Sequence, residues 1–266
     1  RLLRRYLKMK NRPITIILAS YNDMRILRAI KSIRDFDDGD IVSILVVDGG
    51  SSSNILESIA AEMTDTDHLI SEKDEGVFDA LNKGLEACNS EIIGWLGADD
   101  FFSGNVLATE VLSVLQNADI FVGSIHFFNN DVVTRKTSSL HCQYEAARHL
   151  GFHNPHYATF GRSKLFKSYR FDLDNLGADI EYFIKVFKMA NSVKVSSRVF
   201  TYQAEGGFSN NGLLKVLKVN FDLSKTWGVF FPIALVVKLG YKASSKFYYK
   251  LFKTYIPEEL REKYML

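Results

Sequence analysis

From Pro13 to about Ile125, short β-branched runs alternate with longer stretches of helical spacing. That alternation restricts the chain to an α/β architecture with a largely parallel sheet. The run from Ile14 to Leu18 reads as a strand; polar Ser20-Tyr21-Asn22-Asp23 follows, and Met24, Leu27, Ile30 and Ile33 then recur at helical spacing. The unit recurs with a strand from Ile41 to Val47, the loop Asp48-Gly49-Gly50-Ser51-Ser52-Ser53-Asn54, and a helix beginning at Ile55. A strand near His68, a helix from Val77 to Cys88, a strand from Ile92 to Leu96, a helix from Val106 to Leu115 and a strand at Ile120 to Val122 are expected next. Ligands of open parallel sheets sit beyond the carboxyl ends of the strands. The loops Ser20 to Asp23, Asp48 to Asn54, Ser71 to Gly76 and Gly97 to Asp100 all lie at such ends. Beyond Ile125, Phe127 to Val133 reads as a hairpin with an Asn/Asp turn, which makes the sheet mixed. Helices are expected near Tyr144 to Leu150 and from Asp179 to Met189.

The 266 residues are 47% apolar and 24% charged. A chain of this length hides roughly three quarters of its unfolded surface, so disordered, collagenous and disulfide-stapled classes are excluded. The formal charge of +2 conceals three unlike parts. Residues 1–12 carry six basic and no acidic groups, residues 211–266 ten basic and four acidic groups, and residues 13–210 a charge of −10. Cys88 and Cys142 are far apart and show no metal or redox spacing, which points to a reducing compartment. Arg1 to Lys10 lacks the apolar core of a signal peptide, so secretion is not indicated. The longest apolar run, Trp227 to Val237, is broken by Gly228 and Pro232 and is about half of the ~20 residues that span a bilayer.

Five sets of residues could carry chemistry. Asp99-Asp100 places two carboxylates side by side at a strand end, where they either bind a hard divalent cation that shares a phosphate ligand or cap a turn. Asp48-Gly49-Gly50 combines an acceptor with backbone that a flat ligand can approach, and it also suits a plain βα turn. It is not the G-x-G-x-x-G fingerprint, and there is no P-loop. Asp79, Asn82 and Lys83 stand at i, i+3 and i, i+4 spacing on one helix, as supportive surface pairs would. Asp179 and Glu181 open a helix, where carboxylates are favoured by the dipole or can serve as a general base; His153 and His156 flank Asn154-Pro155.

In this order the motifs resemble the inverting family 2 glycosyltransferases of GT-A fold, in particular the bacterial branch that builds surface polysaccharides. Ser20-Tyr21-Asn22 is similar to that family's opening loop, and Asp48 to Ser53 to its Asp-Gly-Gly-Ser segment. Glu72, Asp74, Gly76, Asp79, Ala80, Asn82, Lys83 and Gly84 match its long central motif, and Asp99-Asp100 its metal motif. His156-Tyr157-Ala158-Thr159-Phe160, Ala178-Asp179-Ile180-Glu181-Tyr182 and Gly206-Gly207-Phe208-Ser209 resemble its later segments.

The resemblance implies a mixed, Rossmann-like sheet flanked by helices over residues 13–210, preceded by a basic segment and followed by a basic, aromatic extension. It implies that Ser20, Tyr21, Asp48 and Gly49 hold base and ribose, and that Asp74, Gly76, Asn82 and Lys83 shape the uridine and diphosphate side. Asp99 and Asp100 would bind ribose and Mn²⁺ or Mg²⁺. Asp179 would be the general base, with Glu181 the alternative, and His156, Gly206 and Gly207 would face the diphosphate or acceptor. Gly97 departs from the acidic or Asn residue usual at the start of the metal motif, Ser53 from an Asp, and Glu181 from a second Asp.

Lys238, Lys242, Lys246 and Lys250 recur every four residues, with aromatic and aliphatic residues between them. An amphipathic helix lying on an anionic membrane surface fits this pattern, as does a solvated face on a helix packed against the body. The reading is a hexosyl- or N-acetylhexosaminyl-transferase, inverting, at the cytoplasmic face of the cell membrane. Its donor would be a nucleotide sugar, UDP-linked, and its acceptor a lipid-linked saccharide, with no nucleic-acid partner. A sugar nucleotidyltransferase is the alternative, although Ser20 to Asp23 offers no Gly-rich triphosphate loop; a non-catalytic membrane-bound scaffold of the same fold is the other.

Overall fold

A computed structural model describes residues 12–129, 131–137, 156–175 and 177–205. The helix expected at Tyr144 to Leu150, His153, Cys142, the Gly206-Gly207 loop and both basic ends lie outside the described residues. The elements in chain order are β1 (Ile14–Ser20), α1 (Ile26–Phe36), β2 (Val42–Asp48), α2 (Ser53–Ala61), β3 (His68–Ser71), α3 (Val77–Ala87), β4 (Ile92–Gly97) and β5 (Phe101–Phe102). Then come α4 (Ala108–Leu115), β6 (Ile120–Asn129), β7 (Val132–Thr137), a 3₁₀ turn (His156–Ala158), β8 (Thr159–Arg162), α5 (Ser163–Phe166), α6 (Ala178–Met189) and β9 (Val193–Ala204).

The nine strands among the described residues form one mixed sheet of order β3-β2-β1-β4-β8-β6-β9-β5, with β7 on the free part of β6. β1 to β4 are mutually parallel, as the alternation of strand and helix patterns requires. β8 enters antiparallel between β4 and β6, and β9 runs parallel to β6. Three strands differ from the sequence expectation. β5 has two residues and β8 four, too short for periodicity to register. β9 reads as polar because few of its positions are fully buried. The hairpin is present, but its first strand runs unbroken from Ile120.

Helices cover both faces, so β2 is buried at every position. Side chains alternate along β1: Ile14, Ile16 and Leu18 pack with α1, α2 and α4, while Ile17 packs with α3 and α6. α1 buries Ile26, Ala29, Ile30, Ile33 and Phe36, a single stripe at helical spacing. The second face is aromatic. Trp95 of β4 lies among Phe166, Phe171, Tyr182 and Phe183 at ring distances of 5.7 to 6.2 Å, and this packing sets the position of α6.

Before β3, the buried side chain of Asp67 accepts hydrogen bonds from the N–H of Ile44 at 2.8 Å, from the N–H and hydroxyl of Thr64 at 2.7 Å each, and from Arg34. Burial pushes its carboxyl up, but these donors outweigh burial and hold it below the usual carboxylate range. A depressed folded value stabilises the fold above the unfolded value, roughly 4, and that gain is lost as pH falls through the folded value. The difference in melting temperature between wild type and Asp67→Asn is therefore expected to be full at neutral pH and to shrink below pH 4; a difference independent of pH would contradict this.

Candidate functional site

The carboxyl ends of β1, β2 and β4 meet at one edge, and their loops are laced together. The N–H of Gly49 donates to the Ser20 carbonyl at 2.9 Å, the N–H of Asn22 to Ser51 Oγ at 2.7 Å, and the N–H of Ser52 to Asn22 Oδ1 at 3.1 Å. Asn22 takes a left-handed φ of 49°, which turns the chain from β1 toward α1. Asp48 is fully buried. Its carboxylate accepts from the N–H groups of Gly50 and Ser51 and from the hydroxyls of Ser51 and Ser71. These four donors tie the turn after β2 to the end of β3. Ser20 is buried beside it, and its Oγ has no hydrogen-bond partner among the described residues. Tyr21 is exposed at the rim.

Gly49 is set by the next loop, because a Cβ there would stand 2.8 Å from Asp74 Oδ2. Asp74 in turn accepts from the N–H of Gly76 at 3.0 Å, which shapes the entry to α3. On α3, Lys83 reaches Glu72 at 2.9 Å and Asp79 at 3.2 Å, so the i, i+4 pair forms. The Glu72 contact, with Asp79 adding to it, raises the lysine's pKa. Asn82 does not pair with Asp79. Its amide clips the main chain of Phe171, donating to the carbonyl at 2.9 Å and accepting from the N–H at 2.8 Å.

The metal motif folds back on Gly97, where a Cβ would lie 2.6 Å from Asp100 Oδ2 and 3.1 Å from Asp99 Oδ1. The glycine that departs from the family pattern is thus the space both carboxylates use. Asp100 is buried and accepts from the N–H of Ala204 at 2.8 Å. Burial, with the charge of Asp99 beside it, pushes its carboxyl up to about 8. No cluster of three or more His, Cys, Asp or Glu suited to a metal ion occurs among the described residues. Two adjacent carboxylates nevertheless fit Mg²⁺ or Mn²⁺, which take one or two such ligands and complete the shell with phosphate oxygens and water.

Asp179 and His156 come together, with Oδ2 and Nδ1 3.9 Å apart. His156 stacks on Phe183 of α6 at 5.8 Å. The two carboxylates of α6 differ in employment. Glu181 is bonded by Asn175 at 2.7 Å and by Lys185 at 2.6 Å, whereas His156 is the partner given to Asp179. Burial raises the hydroxyl pKa of Tyr157, whose ring lies 4.1 Å from that of His156, and the charges of Asp100, Asp179 and Asp99 raise it further. Sequence reasoning quoted Tyr157 but gave it no role, and it missed Arg25, whose Nη1 is 3.6 Å from Asp99. Helical periodicity had no reason to mark a solvent-facing residue ahead of α1. An open groove of about 600 Å³ lies elsewhere, at the start of β9, lined by Glu110, Asn117, Lys194 and Arg198.

A mixed sheet flanked by helices, with acidic and polar loops at its parallel carboxyl ends, is an α/β architecture of GT-A type. The family model described as Glycosyl transferase family 2 matches residues 15–177, more than half of the chain, and the chain belongs to that family. An uncharacterized glycosyltransferase of Nostoc sp. is 32% identical over 117 residues, covering 42% of this chain and 35% of that one. An uncharacterized glycosyltransferase of Mycobacterium tuberculosis is 27% identical over 103 residues, covering 38% and 39%. The matches thus span little more than a third of these relatives' length. Among solved structures, S. aureus TarS residues 1–349 in complex with UDP-GlcNAc aligns with a TM-score of 0.61 at 15% identity, covering 79% of this chain and 66% of that one. The Pyrobaculum calidifontis mannosyltransferase PcManGT, in complex with GDP-Man and Mn²⁺, aligns with a TM-score of 0.55 at 18% identity, covering 87% and 73%. At these identities the two structures share the fold.

Replacing Asn82 by Ala leaves the buried N–H and carbonyl of Phe171 without their partner. The expected loss is about 1–3 kcal/mol of unfolding free energy, read by urea titration. An unchanged midpoint would return Asn82 to a purely ligand-facing role.

Proposed function

We propose that this chain is a metal-dependent, inverting hexosyl- or N-acetylhexosaminyl-transferase. It would move a sugar from a UDP-linked donor to a lipid-carried saccharide in surface polysaccharide assembly. The observation that carries the reading is the adjacent carboxylate pair Asp99 and Asp100 folded over Gly97 at the end of β4, with a separate carboxylate, Asp179, beside His156, in a chain of the family 2 glycosyltransferases. The TarS complex with UDP-GlcNAc supports a nucleotide-sugar donor, and the PcManGT complex supports a divalent cation while favouring a guanosine nucleotide equally well.

In this reading the unpartnered Oγ of Ser20 bonds the nucleoside and Tyr21 stacks on its base, while Asp48 and Asp74 keep Gly49 close to the ligand. Asp99 and Asp100 would hold Mn²⁺ or Mg²⁺, which when bound supplies positive charge against the leaving diphosphate. Asp179 accepts the proton of the acceptor hydroxyl as that oxygen forms its bond to the anomeric carbon. The bond to the diphosphate oxygen breaks on the opposite face with its electron pair, so the anomeric configuration inverts. Asp179 suits the base role better than Glu181 because the latter's two oxygens already serve Asn175 and Lys185. Gly206 and Gly207 would complete the diphosphate or acceptor side, and His156 would orient Asp179.

Nucleoside diphosphate release from a panel of nucleotide sugars with Mn²⁺ tests the reading. Asp179→Asn is expected to lose about 10²- to 10⁴-fold in turnover while still binding UDP, and Glu181→Gln to lose far less. Donor binding that survives Asp100→Ala unchanged, or no turnover with any donor and lipid-linked acceptor, would refute it. Membrane association rests on the lysine stripe alone; no helix among the described residues is long and apolar enough to cross a membrane. Glutamine at Lys238, Lys242, Lys246 and Lys250 should weaken sedimentation with anionic vesicles by about 1 kcal/mol per residue, and undiminished binding would reduce the stripe to a solvated face.

A further inference from the structure

Arg25 stands at the head of α1 with its guanidinium divided between two carboxylates. Asp23 holds one side of the fork: Nε lies 2.9 Å from Oδ1 and 3.1 Å from Oδ2, and Nη2 lies 2.6 Å from Oδ2. The backbone N–H of Arg25 also donates to Asp23 Oδ1, at 3.0 Å, so the pair is fixed at both ends. The remaining nitrogen, Nη1, is 3.6 Å from Asp99 Oδ2. That is too long for a hydrogen bond but well within charge attraction. Nη1 makes no hydrogen bond among the described residues, so its donors are unspent. The side chain is 62% exposed and that of Asp99 28%, so the contact is open to solvent and to a ligand.

Other cations of this edge are engaged elsewhere: Lys83 with Glu72 and Asp79, and Arg28 with Asp131 and the face of Phe101. Among the described residues, Arg25 is therefore the cation facing the Asp99–Asp100 pair, whose mutual repulsion the buried Asp100 is unable to relieve through water. A divalent cation approaching Asp99 by itself meets a guanidinium 3.6 Å away and is opposed by it. A diphosphate offers that guanidinium a better partner, because a planar fork matches phosphate oxygens in charge and geometry.

We propose that Arg25 is an exchange cation, shielding Asp99 while the donor site is free and passing to the phosphate oxygens when a nucleoside diphosphate arrives with its divalent cation. The inference rests on the donor-site reading above. Its consequence is an order of binding: metal alone binds weakly, and metal and nucleotide strengthen one another.

The test uses the full chain and its variants Arg25→Gln, Arg25→Met and Arg25→Lys, with melting temperatures confirming that each folds. Mn²⁺ alone is titrated first, by the electron paramagnetic resonance of the free ion; UDP and GDP are then titrated calorimetrically at fixed Mn²⁺. The neutral variants are expected to bind Mn²⁺ alone roughly two- to fivefold more tightly and the nucleotide two- to fivefold more weakly, the range for an exposed ion pair. Arg25→Lys should stay near wild type with Mn²⁺ and fall between with nucleotide. Unchanged or weaker Mn²⁺ binding by both neutral variants, or unchanged nucleotide binding, overturns the exchange and leaves the donor-site reading standing. Wild type that binds neither UDP nor GDP overturns that reading instead.

Discussion

The buried carboxylate of Asp48 is the constraint on which the rest of the site depends. A charge out of water needs donors, and the fold supplies two main-chain N–H groups and two hydroxyls. These come from the turn after β2 and from the end of β3, so one side chain fixes both. Ser51 extends the network, since its hydroxyl donates to Asp48 and accepts from Asn22. The loop after β1 is thereby held against the loop after β2. Gly49, the residue between, then has no room for a side chain under Asp74, and the third loop is placed in turn.

The opposite half of the site is positioned by apolar contact rather than by charge. Trp95 and its ring of aromatic neighbours set the pitch of α6 against β4, and Phe183 of that helix carries His156 on its face. The first turn of α6, with Asp179, is thus delivered by an aromatic core, to which the Tyr182 hydroxyl adds a hydrogen bond to the Phe166 carbonyl. Phe171 belongs to the same core, and Asn82 of α3 grips its main chain. A helix expected to serve the ligand therefore also holds the segment ahead of α6 to its own face of the sheet.

How much of this was legible follows from what kind of force acts where. β1, β2, β4 and the helices between them announce themselves because a strand covered on both faces must be apolar throughout and a covering helix must carry one apolar stripe. The carboxylates of the rim were visible because like charges at strand ends are expensive without a purpose. β5 was hidden because two residues leave no period, and β8 because its four residues follow no helical pattern and are paired antiparallel between β4 and β6 by tertiary neighbours. The employment of Asp48, Asn82 and Glu181 was hidden for another reason. A residue type reveals what it can bond, and only the fold reveals that Ser71, Phe171 and Asn175 are there to be bonded first. Arg25 illustrates the same limit, since its significance lies in a carboxylate more than seventy positions away.

The hydrogen bond from Ala204 to Asp100 joins the acidic pair to the last residue of β9. That strand end is otherwise held by pairing with Phe128 and by its neighbour's N–H on the Phe128 carbonyl. Reciprocity follows from the single shared bond: a ligand that draws Asp100 away from Ala204 loosens the strand end by as much free energy as a firmly docked strand end withholds from that ligand. The strength with which β9 closes is therefore a fixed part of the affinity of the acidic pair for whatever it binds.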